Sequence, residues 1–199
     1  MPDPVAIILL AAGGSVRMGA SKQLLPFRGR TVLYHAAKTA VGSGCAPVIV
    51  VLGDRADECR AELEDLPVSI VVNAAWQRGM GSSLRTGVEY ALQLEPSLTA
   101  GIIQLCDQPL VDPRSLQALL EGYRQTGRPL IVSRYADTFG PPALIAGDYF
   151  KRLSIWSDDQ AGAKALFGQA LPDDILPIPL ADAASDLDTP DDYRKLSDV

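Results

Sequence analysis

Histidine is nearly missing from this chain: one imidazole, His35, stands among 199 residues. It lies inside the helical pattern TVLYHAAKTA, so it reads as a packed or surface helix residue, and no Ser-His-Asp relay can be assembled around it. Cysteine is scarce too. Cys45, Cys59 and Cys106 are odd in number and show no CxxC spacing, which argues against a disulfide framework and a structural zinc site. Net basic charge is also lacking. Eighteen Lys and Arg face 24 Asp and Glu, for a formal charge of -6, whereas a grip on nucleic acid needs cations that displace counterions from phosphates. No nucleic-acid partner is expected. No apolar run approaches the roughly 20 residues that span a bilayer, so no membrane partner is expected either. The opening MPDPVAIILLAAGG has no basic region ahead of its short apolar run, so it reads as a buried strand rather than a signal peptide. The cytoplasm is the expected compartment. Repeats, charge blocks and low-complexity linkers are missing as well, which predicts one domain over residues 1–199.

What is present is an ordinary globular composition, 47% hydrophobic and 21% charged, arranged in a repeating order. Apolar, β-branched runs (VAIILL, PVIVVL, VSIVV, GIIQLC, RPLIVSRY) alternate with helical patterns (TVLYHAAKTAVGSG, DRADECRAELEDL, SSLRTGVEYALQLE, PRSLQALLEGYRQTG). Strands apolar on both faces imply a parallel sheet covered on both sides, that is, a three-layer α/β sandwich. From Phe139 to Leu180 the pattern loosens into a Pro-Pro turn, a helix at AGAKALFGQAL and a short strand DILPIPL, which predicts a mixed edge. In such sheets ligands bind beyond the carboxyl ends of the strands, and three motifs fall there.

The first motif is the loop after VAIILL. Ala11, Ala12, Gly13, Gly14 and Ser15 are small where backbone must approach a ligand, and Arg17 and Lys22 add donors suited to phosphate oxygens. Walker A fails, because Ala20 stands where its lysine should follow Gly19; GxGxxG fails at Ser15 and Val16. The bland alternative is a tight strand-to-helix turn with two solvated cations.

LAAGGSVRMGASKQLLPFRGRTVL resembles the LAAG-x-S-x-R-M-G-x-x-K signature of nucleotidyltransferases that serve the molybdenum cofactor, most of all the cytidylyltransferase branch. That resemblance implies a Rossmann-like fold, CTP and Mg2+ as reagents, and Arg17 and Lys22 as phosphate contacts. It also implies a nucleotide site on Leu10, Ala11, Ala12, Gly13, Gly14, Ser15, Arg17 and Lys22. Within the family LAAG accompanies cytidylyl transfer and LAGG guanylyl transfer, so Ala12 speaks for CTP.

Asp107, in QLCDQPLVD, follows the strand GIIQLC. A lone strand-end carboxylate suits Mg2+, which takes one or two carboxylates, waters and substrate phosphates. The alternative role, a helix cap, is better filled by Asp112 ahead of Pro113. CDQP also resembles the family's metal-binding DQP. In DLDTPDDY, Asp186 and Asp188 face one way if the segment is extended. Asp188 reads either as a solvated loop residue or, through resemblance to D-I-D-T-P-E-D, as a second Mg2+ ligand with Asp186 as helper. Thr189, Pro190, Asp191 and Asp192 read as the cap and first turn of a last helix.

Other signals are weaker. Asn73 and RGMGSSLRTG, with Gly79, Gly81, Ser82 and Ser83, read as a base pocket, or Ser82 as a helix cap; the family uses this region for the nucleotide. FGPPAL reads as a turn into an edge strand or as part of an acceptor pocket. Its Pro141 replaces a histidine of the family's G-H-P. In SDDQAGAKAL, Asp158 or Asp159 reads as a helix cap, while the resemblance implies an acidic segment near the bound acceptor. Cys106 reads as a small hydrophobe, and Trp76 and Trp156 read as packing or, less simply, as the lining of a pterin pocket.

Together these residues suggest nucleotidyl transfer: an acceptor phosphate attacks the α-phosphorus of CTP and pyrophosphate leaves. Arg17, Lys22 and Asp107 are the candidate catalytic residues, and Asp107 and Asp188 the candidate Mg2+ ligands. The resemblance adds a molybdopterin-type cofactor as acceptor and a molybdoenzyme as recipient. The rivals are another nucleotide or phosphorylated acceptor, and a nonenzymatic cofactor chaperone.

Overall fold

The computed structural model describes residues 4–14, 21–135, 138–160 and 162–197. β1 (Val5–Ala11) is buried along its whole length, as an apolar strand at the centre of a parallel sheet must be. Parallel β4 (Val48–Leu52) flanks it on one side and β6 (Ala100–Leu105) on the other. β5 (Ser69–Val72) extends the sheet beyond β4. Beyond β6 come β8 (Thr138–Ala146), antiparallel to both its neighbours, then β7 (Leu130–Tyr135) and β9 (Ile175–Pro179). The sheet order is β5-β4-β1-β6-β8-β7-β9, with a separate hairpin of β2 (Pro26–Phe27) and β3 (Arg30–Thr31). The expected mixed edge is therefore real, but FGPP belongs to an internal strand. Register shifts between Val132 and Ser133, opposite Ala143 and Gly140, so Pro141 and Pro142 occupy a bulge. A bulge is where a strand tolerates residues without an N–H to donate.

Alternation along β1 divides the core. Ala6, Ile8 and Leu10 pack toward α3 (Met80–Leu94) and α5 (Gly147–Ser154), with the short α6 (Lys164–Phe167) alongside. Val5, Ile7 and Leu9 face α1 (Val32–Gly42) and α4 (Pro113–Thr126), with α2 (Ala56–Ala61) and α7 (Pro190–Ser197) closing that layer. At about 1.5–3 kcal/mol for each large apolar side chain buried, these two faces dominate the folding energy. Gly87 allows α3 its close approach: a Cβ there would lie 2.5 Å from Ile8 Cγ2 and 2.7 Å from Val51 Cγ2.

Helix ends follow local chemistry. Asp112 caps α4 by accepting from Ser115 N at 2.8 Å, with Pro113 in the first turn, and Gly127 ends the helix at φ 66. Thr189 and Asp192 cap α7 reciprocally. Three expectations fail. α2 covers only part of DRADECRAELEDL. Ser82 does not cap α3, whose cap position is Gly79, and α6 starts after Ala163 without a side-chain cap. Among the described residues no helix is long and apolar enough to cross a membrane.

Candidate active site

The chain leaves β1, builds β4 and β5 on one side, and returns to β6 on the other, so the β1–β6 boundary is a topological switch point. Loops diverge beyond the strand ends there and leave a crevice. A cavity of about 470 Å³ opens at that place, lined by Leu10, Ala11, Ala12 and Gly13 from the end of β1, by Leu105, Cys106 and Asp107 from the end of β6, and by Lys22, Gln23, Trp76, Gln77, Gly79, Met80 and Ser83.

Local hydrogen bonds set the mouth of the loop. Gln23, buried in the short 3-10 turn Lys22–Leu24, donates Nε2 to the carbonyls of Ala11 at 3.1 Å and Gly13 at 2.6 Å. Ser21 donates to Gln23 Oε1 at 2.8 Å. The far end of the Gly-rich segment is thus stitched to its start, and Lys22 is delivered to the cavity. On the outer side Asp54 N donates to Ala12 O at 3.1 Å, and the Trp76 ring lies against Gly14 and Gly53, where a Cβ would meet it. Ser15 and Arg17 lie outside the described residues.

Asp107 sits two residues past β6, held in line by Cys106 N donating to Leu10 O. Leu187 N donates to Asp107 O at 2.8 Å, which draws the C-terminal acidic segment to the same strand end. Gln108, also buried, donates to Pro141 O at 3.1 Å and Ala183 O at 2.8 Å, tying the β8 bulge to that segment. The result is a three-centre cluster: Lys22 Nζ lies 3.2 Å from Asp107 Oδ2 and 2.6 Å from Asp188 Oδ1, with side-chain exposures of 14%, 29% and 41%. Burial by itself would lower the Lys22 pKa. The hydrogen bond to Asp188 and the Asp107 charge outweigh it and hold the ammonium above the ordinary lysine range. The Asp186 carboxyl is pushed up, first by partial burial and then by the Asp107 charge, opposed by the Gln108 amide. Burial also raises the Cys106 thiol far above its usual value, which leaves it unsuited to nucleophilic work at neutral pH.

The sequence-chosen residues Leu10, Ala11, Ala12, Gly13, Lys22 and Asp107 line the cavity, and Asp188 joins through Lys22. Gly14 stands behind the loop against Trp76. Asn73, Gly81 and Ser82 do not line it. Asn73 Nδ2 donates to Ser82 Oγ and Ser83 Oγ, Ser82 donates to Gly79 O, and Gly81 N donates to the carbonyl of Asp159. These residues shape the rim and present Ser83, the one serine of the expected base pocket that lines the cavity. Asp159, expected to cap its own helix, instead caps α3 through its carbonyl and pairs with Arg78 and Arg85. Gln23 was missed, Trp76 lines the cavity although packing was the preferred reading for it, and Met80 does so from within RGMGSSLRTG. Only the adjacency of Gln23 to Lys22 hinted at its place.

Among the described residues there is no group of three or more His, Cys, Asp or Glu side chains arranged to hold a metal. Asp107 and Asp188 nonetheless provide a hard oxygen pair, which fits Mg2+ or Mn2+ when substrate phosphates and water complete the coordination. His35 sits apart, edge-on to the rings of Phe27 and Tyr34.

Comparison with known proteins identifies the family. The model of the MobA-like NTP transferase domain matches residues 7–174. Nicotine blue oxidoreductase of Paenarthrobacter nicotinovorans is 42% identical over 120 residues, which are 59% of this chain and 56% of that one. The bifunctional protein GlmU of Halorhodospira halophila is 35% identical over 150 residues, 74% of this chain and 30% of the relative. The matches thus span about half of the first of these relatives and under a third of the second. Among solved structures, Rv0371c of Mycobacterium tuberculosis superposes with a TM-score of 0.84 at 29% identity over the whole of both chains. Its complex with manganese gives 0.78 at 27% identity over 98% of each.

Proposed function

Because the chain belongs to the family of MobA-like NTP transferase domains, we propose that it transfers a nucleoside monophosphate, CMP from CTP, to the terminal phosphate of a molybdopterin-type molybdenum cofactor, releasing pyrophosphate. The observation that carries nucleotidyl transfer is the meeting of Lys22, Asp107 and Asp188, from three distant parts of the chain, beside a cavity at the β1–β6 switch point. CTP and the molybdopterin acceptor rest on the resemblance of LAAG, CDQP and DLDTPDD.

The nucleoside lies in the cavity, whose volume falls in the range of small-ligand pockets. Ser83 Oγ, fixed by Asn73, and the Gln77 side chain offer polar groups to the base. Backbone N–H groups of the Gly-rich segment, with Lys22 and Arg17, hold the phosphates. An acceptor phosphate oxygen attacks the α-phosphorus, the bond from that phosphorus to the bridging oxygen breaks, and pyrophosphate departs with the electron pair. The attacking oxygen is already anionic at neutral pH, so no general base is needed and positioning plus charge neutralisation suffices. Asp107 and Asp188 hold the divalent cation, whose contribution is to neutralise phosphate charge in the transition state. Asp186 supports the pair from the same segment.

Pyrophosphate release is measured with each of the four NTPs, Mg2+ and a molybdopterin-type acceptor, and the product is weighed by mass spectrometry. A CMP adduct is expected. A different nucleotide or acceptor would replace that part of the reading, and binding without any turnover would leave a cofactor chaperone in its place.

A further inference from the structure

Lys22 stands where the cation would. Its Nζ lies between the two carboxylate oxygens that the reading above assigns to the divalent ion, 3.2 Å from Asp107 and 2.6 Å from Asp188. An ion bound to both carboxylates at roughly 2.0–2.1 Å must enter the same space. Two positive centres on one oxygen pair repel strongly at this degree of burial, so ammonium and metal exclude each other there. The lysine is a competent occupant, because its ammonium hydrogen-bonds to both carboxylates at once. It also has somewhere to go. Its four-carbon stem is flexible, and it sits on the cavity wall at the base of the Gly-rich loop, within reach of where phosphates would lie.

We propose that Lys22 is a built-in competitor for the divalent cation, whose ammonium closes the Asp107–Asp188 pair until nucleotide phosphates draw it away. The inference rests on the metal assignment in the preceding subsection. It deepens that assignment: cation and nucleotide bind as a pair, because the phosphates that bring the cation are the same groups that take over the lysine. The carboxylates are never left to repel each other, and the cation is not held tightly without substrate.

The test is Mn2+ binding to the full chain without nucleotide, followed by electron paramagnetic resonance, for wild type, Lys22→Met, Lys22→Gln, Lys22→Arg and Lys22→Met/Asp107→Asn. Thermal melts without metal identify which proteins are folded, and the two uncharged variants back each other up. Removing the ammonium is expected to tighten Mn2+ binding by about tenfold. Lys22→Arg, which keeps the charge, is expected to stay within about threefold of wild type, and the double variant is expected to lose the tight site. Equal or weaker binding in the uncharged variants, with loss in the double variant, overturns the competitor role and leaves the metal site standing. Tight binding that survives Asp107→Asn overturns the metal assignment and the competitor role with it.

Discussion

Asp107 and Asp186 answer to opposite demands, although both serve one cluster. Asp107 is fixed by its strand end and by the Leu187 N–H, so Asp107→Asn should keep the fold while removing a charge that the proposed mechanism needs. A loss of roughly 10²- to 10³-fold in pyrophosphate release is expected, on the scale of deleting one preorganised electrostatic partner. Activity within threefold of wild type would take Asp107 out of the machinery. Asp186 has a folded-state pKa above its ordinary value, from partial burial and then the Asp107 charge. A raised carboxylate pKa means that ionisation destabilises the fold, so the penalty grows as pH rises through that value and disappears at lower pH. Asp186→Asn should therefore stabilise the protein at pH 7, read as a modest rise in Tm because solvent screens a half-buried group. The gain should vanish toward pH 3. A Tm that falls at pH 7, or a gain that persists unchanged in acid, would contradict this.

At the scale of elements, the site depends on how closely α3 and the loop after β1 approach the sheet. α3 lies against β1 and β4 only because Gly87 has no side chain to meet Ile8 and Val51. Gly87→Val should cost about 1–3 kcal/mol by overpacking, a Tm drop of roughly 2–12 °C in a calorimetric scan. An unchanged Tm would mean that the helix is free to move out. Gln23 clamps the loop by two hydrogen bonds to backbone carbonyls. Gln23→Ala should remove both hydrogen bonds, one of them to the buried Ala11 carbonyl, costing about 1–3 kcal/mol, and should raise KM for the nucleotide more than it lowers kcat. Equal effects on both would place the residue elsewhere in the cycle. The strands that carry these elements were legible because parallel strands buried on two faces read as continuous apolar runs, as VAIILL and GIIQLC do. The Pro141–Pro142 bulge was not. Prolines mark irregular backbone, but whether the irregularity falls in a turn or inside a strand is decided by pairing with β7, far from the local pattern. The cap on α3 was equally hidden, since its acceptor is a carbonyl of Asp159, 78 residues beyond Gly81.

For the molecule as a whole, the formal charge of -6 sets a condition on any polyanionic ligand: attraction must be local, in the proposed reading from Lys22, loop N–H groups and a cation on Asp107 and Asp188, against a weakly repelling field. These charged residues were readable in the sequence because motif chemistry names them one by one. Their assembly was not, because Asp107 and Asp188 converge only through long-range bonds such as Leu187 N to Asp107 O. The same convergence makes ligand binding a report on the complete fold. A ligand that binds the native chain alone stabilises it by RT ln(1 + [L]/Kd), about 2.7 kcal/mol at a hundredfold excess over Kd, or roughly 5–11 °C in Tm for a chain of this size. CTP with Mg2+ at that excess should produce such a shift in a thermal-melt assay, whereas CTP with EDTA and Mg2+ without CTP should each produce much less. GTP with Mg2+ matching CTP would remove the base preference while keeping the shared phosphate and cation site. A full shift with CTP in EDTA would instead show that Lys22 and the loop bind the phosphates unaided, leaving Asp107 and Asp188 with no part in holding the nucleotide.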